Sequence, residues 1–151
     1  MVTNSIFHDN ASTGSGPIWF RPLGGTQAVW NNVFFGNTGS PNASVSVDSG
    51  TDFQNNIAQA NGSYVFVEDS STAEFNDYFD NGSDNVLYSD HGSETYSLES
   101  NARFTDPAAG DFTLDPGFSP CIDAGNPMSG YNDVDGTRND MGAYGGPAGS
   151  W

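Results

Sequence analysis

Asp48 and Glu68 hold corresponding places at the ends of two short runs, Ser44-Val45-Ser46-Val47-Asp48 and Tyr64-Val65-Phe66-Val67-Glu68, and Arg21 ends a third, Pro17-Ile18-Trp19-Phe20-Arg21. Each run alternates with a period of two, the pattern of a half-buried strand. Turning the valines inward points Trp19, Arg21, Ser44, Ser46, Asp48, Tyr64, Phe66 and Glu68 outward. On adjacent strands, about 4.8 Å apart, Asp48 and Glu68 would fall near the roughly 5 Å separation of the nucleophile and acid/base carboxylates in a retaining glycosidase. The same charges would otherwise form a solvated ladder of little energetic weight. Exposed rings at Trp19, Trp30, Tyr64 and Phe66 suit stacking on an extended sugar chain. Their alternative is burial under long turns or a C-terminal tail, and Tyr88 is expected to point inward if Val86 does.

A second set of oxygen donors lies near the C-terminus. Asp133, Asp135 and Asn139 alternate around Gly136, and the carbonyl of Thr137 falls where a calcium loop of the EF-hand type uses backbone oxygen. Asp140 or Asp123 would have to complete the set, because Tyr131 and Gly142 occupy the first and twelfth ligand positions. A structural calcium ion and a metal-free cluster of Asx turns both fit this string. His8 and His91 have no partner at zinc-ligand spacing; His91 beside Asp90 forms either an acid/base pair or an ordinary turn. Cys121 reads as a small buried hydrophobe.

These residues must be positioned by a repeat. Val2-Thr3-Asn4-Ser5-Ile6, Val29-Trp30-Asn31-Asn32-Val33, Phe53-Gln54-Asn55-Asn56-Ile57 and Phe75-Asn76-Asp77-Tyr78-Phe79 share one pattern, and Asn10, Asn37 and Asn61 follow in three of the four copies. The strand-like runs ending at Arg21, Asp48 and Glu68, and Asn85-Val86-Leu87-Tyr88-Ser89, lie between them. Units of this length cannot bury an apolar face alone, whereas stacked copies build a continuous core. The expected fold is all-β, a parallel β-solenoid of about four rungs over residues 1 to 90, with a connector and loop-rich cap over 91 to 151. Asn4, Asn31, Asn55 and Asp77 are expected to form a ladder of stacked side chains.

The repeats resemble the right-handed parallel β-helix superfamily, the pectate-lyase-like fold of many secreted carbohydrate-active proteins. Phe104-Thr105-Asp106-Pro107, Gly110-Asp111-Phe112-Thr113-Leu114, Ser119-Pro120-Cys121-Ile122-Asp123-Ala124-Gly125 and the string from Asp133 to Tyr144 are similar to the C-terminal end of secreted bacterial β-helix proteins of the choice-of-anchor type. That resemblance implies a segment folded back on the last rung, an extracellular or cell-surface location, and a longer parent chain. It also implies a lyase alternative in which acids hold calcium and Arg21 abstracts the proton.

Composition narrows the classes. Three Lys+Arg against 19 Asp+Glu give a net charge of -16, which disfavours nucleic acid and anionic membrane surfaces, and no run is apolar enough for membrane insertion. One cysteine excludes an internal disulfide. The expectation is a non-catalytic carbohydrate-binding or surface-structural module, calcium-stabilised, with a polysaccharide partner and end-to-end self-association at its uncapped first rung. The alternative is a polysaccharide lyase or glycoside hydrolase using Asp48, Glu68 and Arg21.

Overall fold

A computed structural model describes residues 1–13, 16–39, 43–82, 84–89 and 94–150. The chain winds into a parallel β-solenoid of about four turns. The first turn contains β1 (Val2–Thr3), β2 (Ile6–His8), β3 (Ala11–Ser12) and β4 (Ile18–Phe20). The second contains β5 (Gln27–Trp30), β6 (Val33–Phe35), β7 (Thr38–Gly39) and β8 (Val45–Val47). The third holds β9 (Thr51–Gln54), β10 (Ile57–Gln59) and β11 (Val65–Val67); the fourth holds β12 (Thr72–Glu74), β13 (Asp77–Phe79) and β14 (Val86–Tyr88). A further strand, β15 (Glu94–Thr95), continues the first sheet, so parallel stacking extends past residue 90. Three sheets result, ordered β1-β5-β9-β12-β15, β2-β6-β10-β13 and β4-β8-β11-β14.

Val2, Val29, Phe53, Ala73 and Glu94 share one column. Successive turns therefore advance 27, 24, 20 and 21 residues, the separations also seen between stacked corner residues. The fourth copy is thus set two residues earlier than its apolar pattern suggests: Ala73, not Phe75, stacks on Phe53. Apolar alternation fills the interior with buried side chains. Ile18, Phe20, Val45, Val47, Val65 and Val67 face in from the third sheet and meet Val29, Phe34, Phe53 and Tyr78, all buried. Phe34 stacks on Phe7 and Phe53 at centroid distances of 5.2 and 5.8 Å.

The corners follow one rule: a residue in the left-handed region is followed by one whose side chain joins a ladder. At the corner between the first two sheets, Asn4, Asn31, Asn55, Phe75 and Tyr96 have φ between 49° and 61°. The next residues, Ser5, Asn32, Asn56, Asn76 and Ser97, form the ladder. Asn32 donates its backbone N–H and side-chain Nδ2 to Asn56 Oδ1 at 2.9 and 3.0 Å, and Asn56 does the same to Asn76. Asp9, Gly36, Ala60 and Asp80 play the left-handed part at the next corner, before an equivalent Asn10-Asn37-Asn61-Asn81 ladder. These amides replace ladder bonds that the backbone cannot make where it bends. The expected ladder of Asn4, Asn31, Asn55 and Asp77 is therefore corrected by one position: the first three are the bends, and Asp77 lies in a strand.

The C-terminal segment folds back along the flank. β16 (Phe104–Asp106) and β17 (Asp111–Leu114) form an antiparallel hairpin across a short 3-10 turn, Pro107–Ala109. Its Phe104 and Phe112 pack against Phe35, building a second buried cluster with Val33, Ile57, Cys121 and Met141. Contacts then run from the third turn to the first: Gly142 N–H to Asn55 O, Asn31 Nδ2 to Asp140 O, and Asn4 Nδ2 to Gly145 O at 2.8, 2.9 and 2.8 Å. The segment thus lies beside these turns, and Leu98, Ser100 and Cys121 also reach Asp77 of the fourth turn. Gly142, with φ of 92°, sits so close to Ile57 that a Cβ would come within 2.8 Å of its Cδ1.

Candidate functional site

The third sheet leaves one face uncovered by this tail, and its outward column is Trp19, Ser46, Phe66 and Leu87. Alternation puts them there because Ile18, Phe20, Val45, Val47, Val65 and Val67 are taken up by the core. Arg21, Asp48, Glu68 and Ser89 follow in the next column, held in register by Asp48 N–H to Phe20 O, Glu68 N–H to Val47 O and Ser89 N–H to Val67 O. An open groove of about 330 Å³ is lined by Gly16, Trp19, Ala43, Ser46, Asp48, Tyr64, Phe66 and Glu68. Five of the sequence-selected residues, Trp19, Tyr64, Phe66, Asp48 and Glu68, therefore meet on one surface, with Arg21 at its margin.

Their interactions are specific. Trp19 is 54% exposed, and its indole N–H donates to Asp48 Oδ1. Arg21 lies over the same ring with Cζ 5.4 Å from its centroid, while its Nε is 3.8 Å from Asp48 Oδ2. Glu68 Oε2 accepts from Ser49 N–H at 3.2 Å. Ser46 is the small member of the column and leaves a trough between Trp19 and Phe66, two turns or about 10 Å apart. Ser44 is buried and bonded to Asn37 O, so it does not belong to the outward set.

Trp30 is not part of this surface. It projects from the first sheet, donates to Asp52 Oδ2 at 2.9 Å and packs edge-on against Tyr131 of the tail at 5.2 Å. Tyr88 turns inward, partly buried against the core with Val86, and its hydroxyl donates to Glu94. Burial raises both the Tyr88 phenol and the Glu94 carboxyl above their ordinary pKa values. The Asp90-His91 pair lies outside the described residues.

The oxygens proposed for calcium serve the tail itself. Asp133 is buried and accepts from the backbone N–H groups of Asp140 and Gly146, while its own N–H donates to Thr137 O at 3.2 Å. Asp135 Oδ1 accepts from Thr137 N–H and Oγ1 at 2.9 and 2.6 Å, which lowers its pKa. Asn139 bridges Tyr131 O and Asn31, and Asp140 Oδ1 accepts from Asp123 N–H at 2.6 Å. Burial nevertheless pushes Asp140 up to about 6 and raises Asp133 as well. Among the described residues no group of three or more His, Cys, Asp or Glu side chains gathers around a point that could hold a metal. As arranged, these oxygens are engaged by backbone and hydroxyl donors and form a set of turns that fastens the tail.

Sequence reasoning missed a further buried carboxylate, Asp77. It occupies the outward column of Val33 and Ile57, accepting from Ser100 N–H at 2.9 Å and from Cys121 Sγ at 3.3 Å. Burial raises Asp77 to about 6 and pushes the Cys121 thiol far above its usual range. The signal was the Asn76-to-Asn81 spacing, which matches Asn32 to Asn37 and Asn56 to Asn61 and fixes the true register.

Comparison of the chain with protein-family models, with curated proteins and with solved structures finds no match.

Proposed function

We propose that this chain is an extracellular carbohydrate-binding module of the parallel β-helix type, which takes a polysaccharide along the groove of the third sheet. The observation that carries this reading is the pairing of Trp19 and Phe66 two turns apart across the small Ser46, with Asp48 and Glu68 alongside. Flat rings supply stacking area for the apolar face of a pyranose, and the carboxylates accept hydrogen bonds from its hydroxyls. The spacing is on the order of a disaccharide's length, and both elements are fixed by a rigid stack. Trp30, packed beneath Tyr131, has a structural role in this reading.

The test is retardation of the protein in native gels cast with neutral plant, algal and microbial polysaccharides. Selective retardation, lost in Trp19→Ala and Phe66→Ala but retained in Trp30→Ala, is the expected result. No retardation by any polymer, or retardation indifferent to Trp19 and Phe66, would remove the groove as the binding surface. Because Asp48 and Glu68 line the same groove on adjacent turns, retained polymers are also assayed for new reducing ends and unsaturated products. Products that disappear in Asp48→Asn or Glu68→Gln would establish the glycoside hydrolase or polysaccharide lyase alternative.

A further inference from the structure

The groove already contains a cation that the chain supplies itself. Arg21 is 67% exposed at its side chain, yet its guanidinium lies over the Trp19 ring and beside the Asp48 carboxylate. An aromatic face and a carboxylate converging on one point make a site for positive charge. We propose that this groove recognises a polymer of 2-amino sugars in its unacetylated, cationic form, and that Arg21 holds the ligand ammonium's place in the free protein. This proposal rests on the glycan-binding reading and adds the charge of the sugar.

Three observations carry it. The groove has two carboxylates, Asp48 and Glu68, against one guanidinium at its margin. The whole chain has a net charge of -16, so its field attracts polycations and repels polyuronates. Arg138 is tied by Nε and Nη2 to the carbonyls of Gly125 and Ala124, and Arg103 lies in the connector before the hairpin, so neither is placed to counter the groove's charge. Arg21 sits on an exposed rim and can swing into solvent with its charge hydrated, whereas Trp19 and Asp48 are fixed by the sheet. A sugar ammonium entering the site exchanges one cation for another, and the pyranose then stacks toward Phe66.

The experiment measures binding of three oligosaccharides of equal length by calorimetry: β-1,4-linked glucosamine, its fully N-acetylated counterpart, and galacturonic acid. The wild-type protein, Arg21→Ala and Glu68→Gln are compared at mildly acidic and at alkaline pH, with circular dichroism confirming that each variant is folded. The expected result is a preference for glucosamine at acidic pH, about fivefold tighter in Arg21→Ala, about fivefold weaker in Glu68→Gln, and lost at alkaline pH where the amines are neutral. Equal or better binding of the acetylated oligomer, indifferent to Arg21→Ala, would overturn the charge assignment and leave the glycan-binding reading standing. Galacturonate binding that disappears in Arg21→Ala would overturn it in the opposite sense. Failure of the wild type and Arg21→Ala to bind any of the three, together with no retardation in the polysaccharide gels, would overturn both.

Discussion

Asn31 and Asn139 lie 108 positions apart in the chain and meet in a buried amide contact, Asn31 Nδ2 to Asn139 Oδ1 at 3.1 Å. The same Asn31 nitrogen reaches Asp140 O at 2.9 Å. A bend residue of the second turn is thus also the anchor of the C-terminal segment. On the turns that this anchoring leaves alone, the equivalent positions are Phe75 and Tyr96, which stack on each other at 4.9 Å.

The two duties of Asn31 are separable. Asn31→Gly keeps the positive φ but removes the amide, leaving Asp140 O and Asn139 without it; a loss of about 1–3 kcal/mol is expected. Asn31→Ala adds the strain of a left-handed alanine, roughly 1–2 kcal/mol more. Urea midpoints of the two variants check this, and a glycine variant as stable as wild type would show that the latch contributes nothing.

Asn56 sits in the middle of the first amide ladder, fully buried, accepting from Asn32 and donating to Asn76 Oδ1 and Val29 O. Asn56→Ala leaves buried donors and acceptors unpaired above and below and is expected to cost about 2–4 kcal/mol. Ser5→Ala, at the end of the ladder, should cost less than half as much. Equal losses in thermal unfolding would mean that the ladder is not cooperative.

Acid should stabilise this protein. Asp77 and Asp140 have folded-state pKa values of about 6, raised mainly by burial, against an ordinary carboxylate near 4. Between those values the folded state binds more protons than the unfolded one. The stability these groups contribute is fully present below about pH 4 and is lost as pH rises through about 6. Stability, read as Tm, is expected to rise between pH 7 and pH 5, by about 1 kcal/mol for Asp77 and less for the less deeply buried Asp140. In Asp77→Asn, which keeps an acceptor for Ser100 N–H, the protein should be at least as stable at pH 7 and its pH slope shallower. A slope unchanged by that substitution would assign the effect elsewhere.

Because Asp133, Asp135, Asn139 and Asp140 are bonded to the tail's own backbone and hydroxyl groups, millimolar calcium or a chelator should leave Tm unchanged. Asp133→Asn, by contrast, should lower Tm, since one of its two oxygens no longer accepts from the amides of Asp140 and Gly146. A calcium-dependent rise in Tm would mean that these turns rearrange around the ion.

The solenoid was legible because its interior positions repeat with valine, isoleucine and phenylalanine, and the first two turn lengths followed directly from Val2, Val29 and Phe53. The fourth turn was misread by two residues because such a shift preserves the in-and-out alternation of a strand. Only the Asn-to-Asn interval distinguishes the alternatives. Trp19, Tyr64 and Phe66 were placed together correctly from alternation alone. Trp30 was grouped with them because sequence gives its ring no partner, whereas Tyr131, 101 positions later, covers it. The oxygen-rich string near Asp133 reads equally as a calcium loop or as turns because both draw on the same residues, and the backbone amides that face those oxygens are supplied by Asp140 and Gly146, which no local pattern announces.

The return of the tail to the first turn also orders events during synthesis. Each turn can stack on its predecessor as it leaves the ribosome, since its partners lie only 20 to 27 residues back. Asn4, however, waits for Ala143 and Gly145, 139 and 141 positions downstream. A nascent chain halted at residue 100 would therefore carry formed rungs with an open apolar flank at Val33 and Ile57. Its aggregation and protease sensitivity should fall abruptly once the hairpin and the glycine-rich string emerge, rather than decline gradually with length.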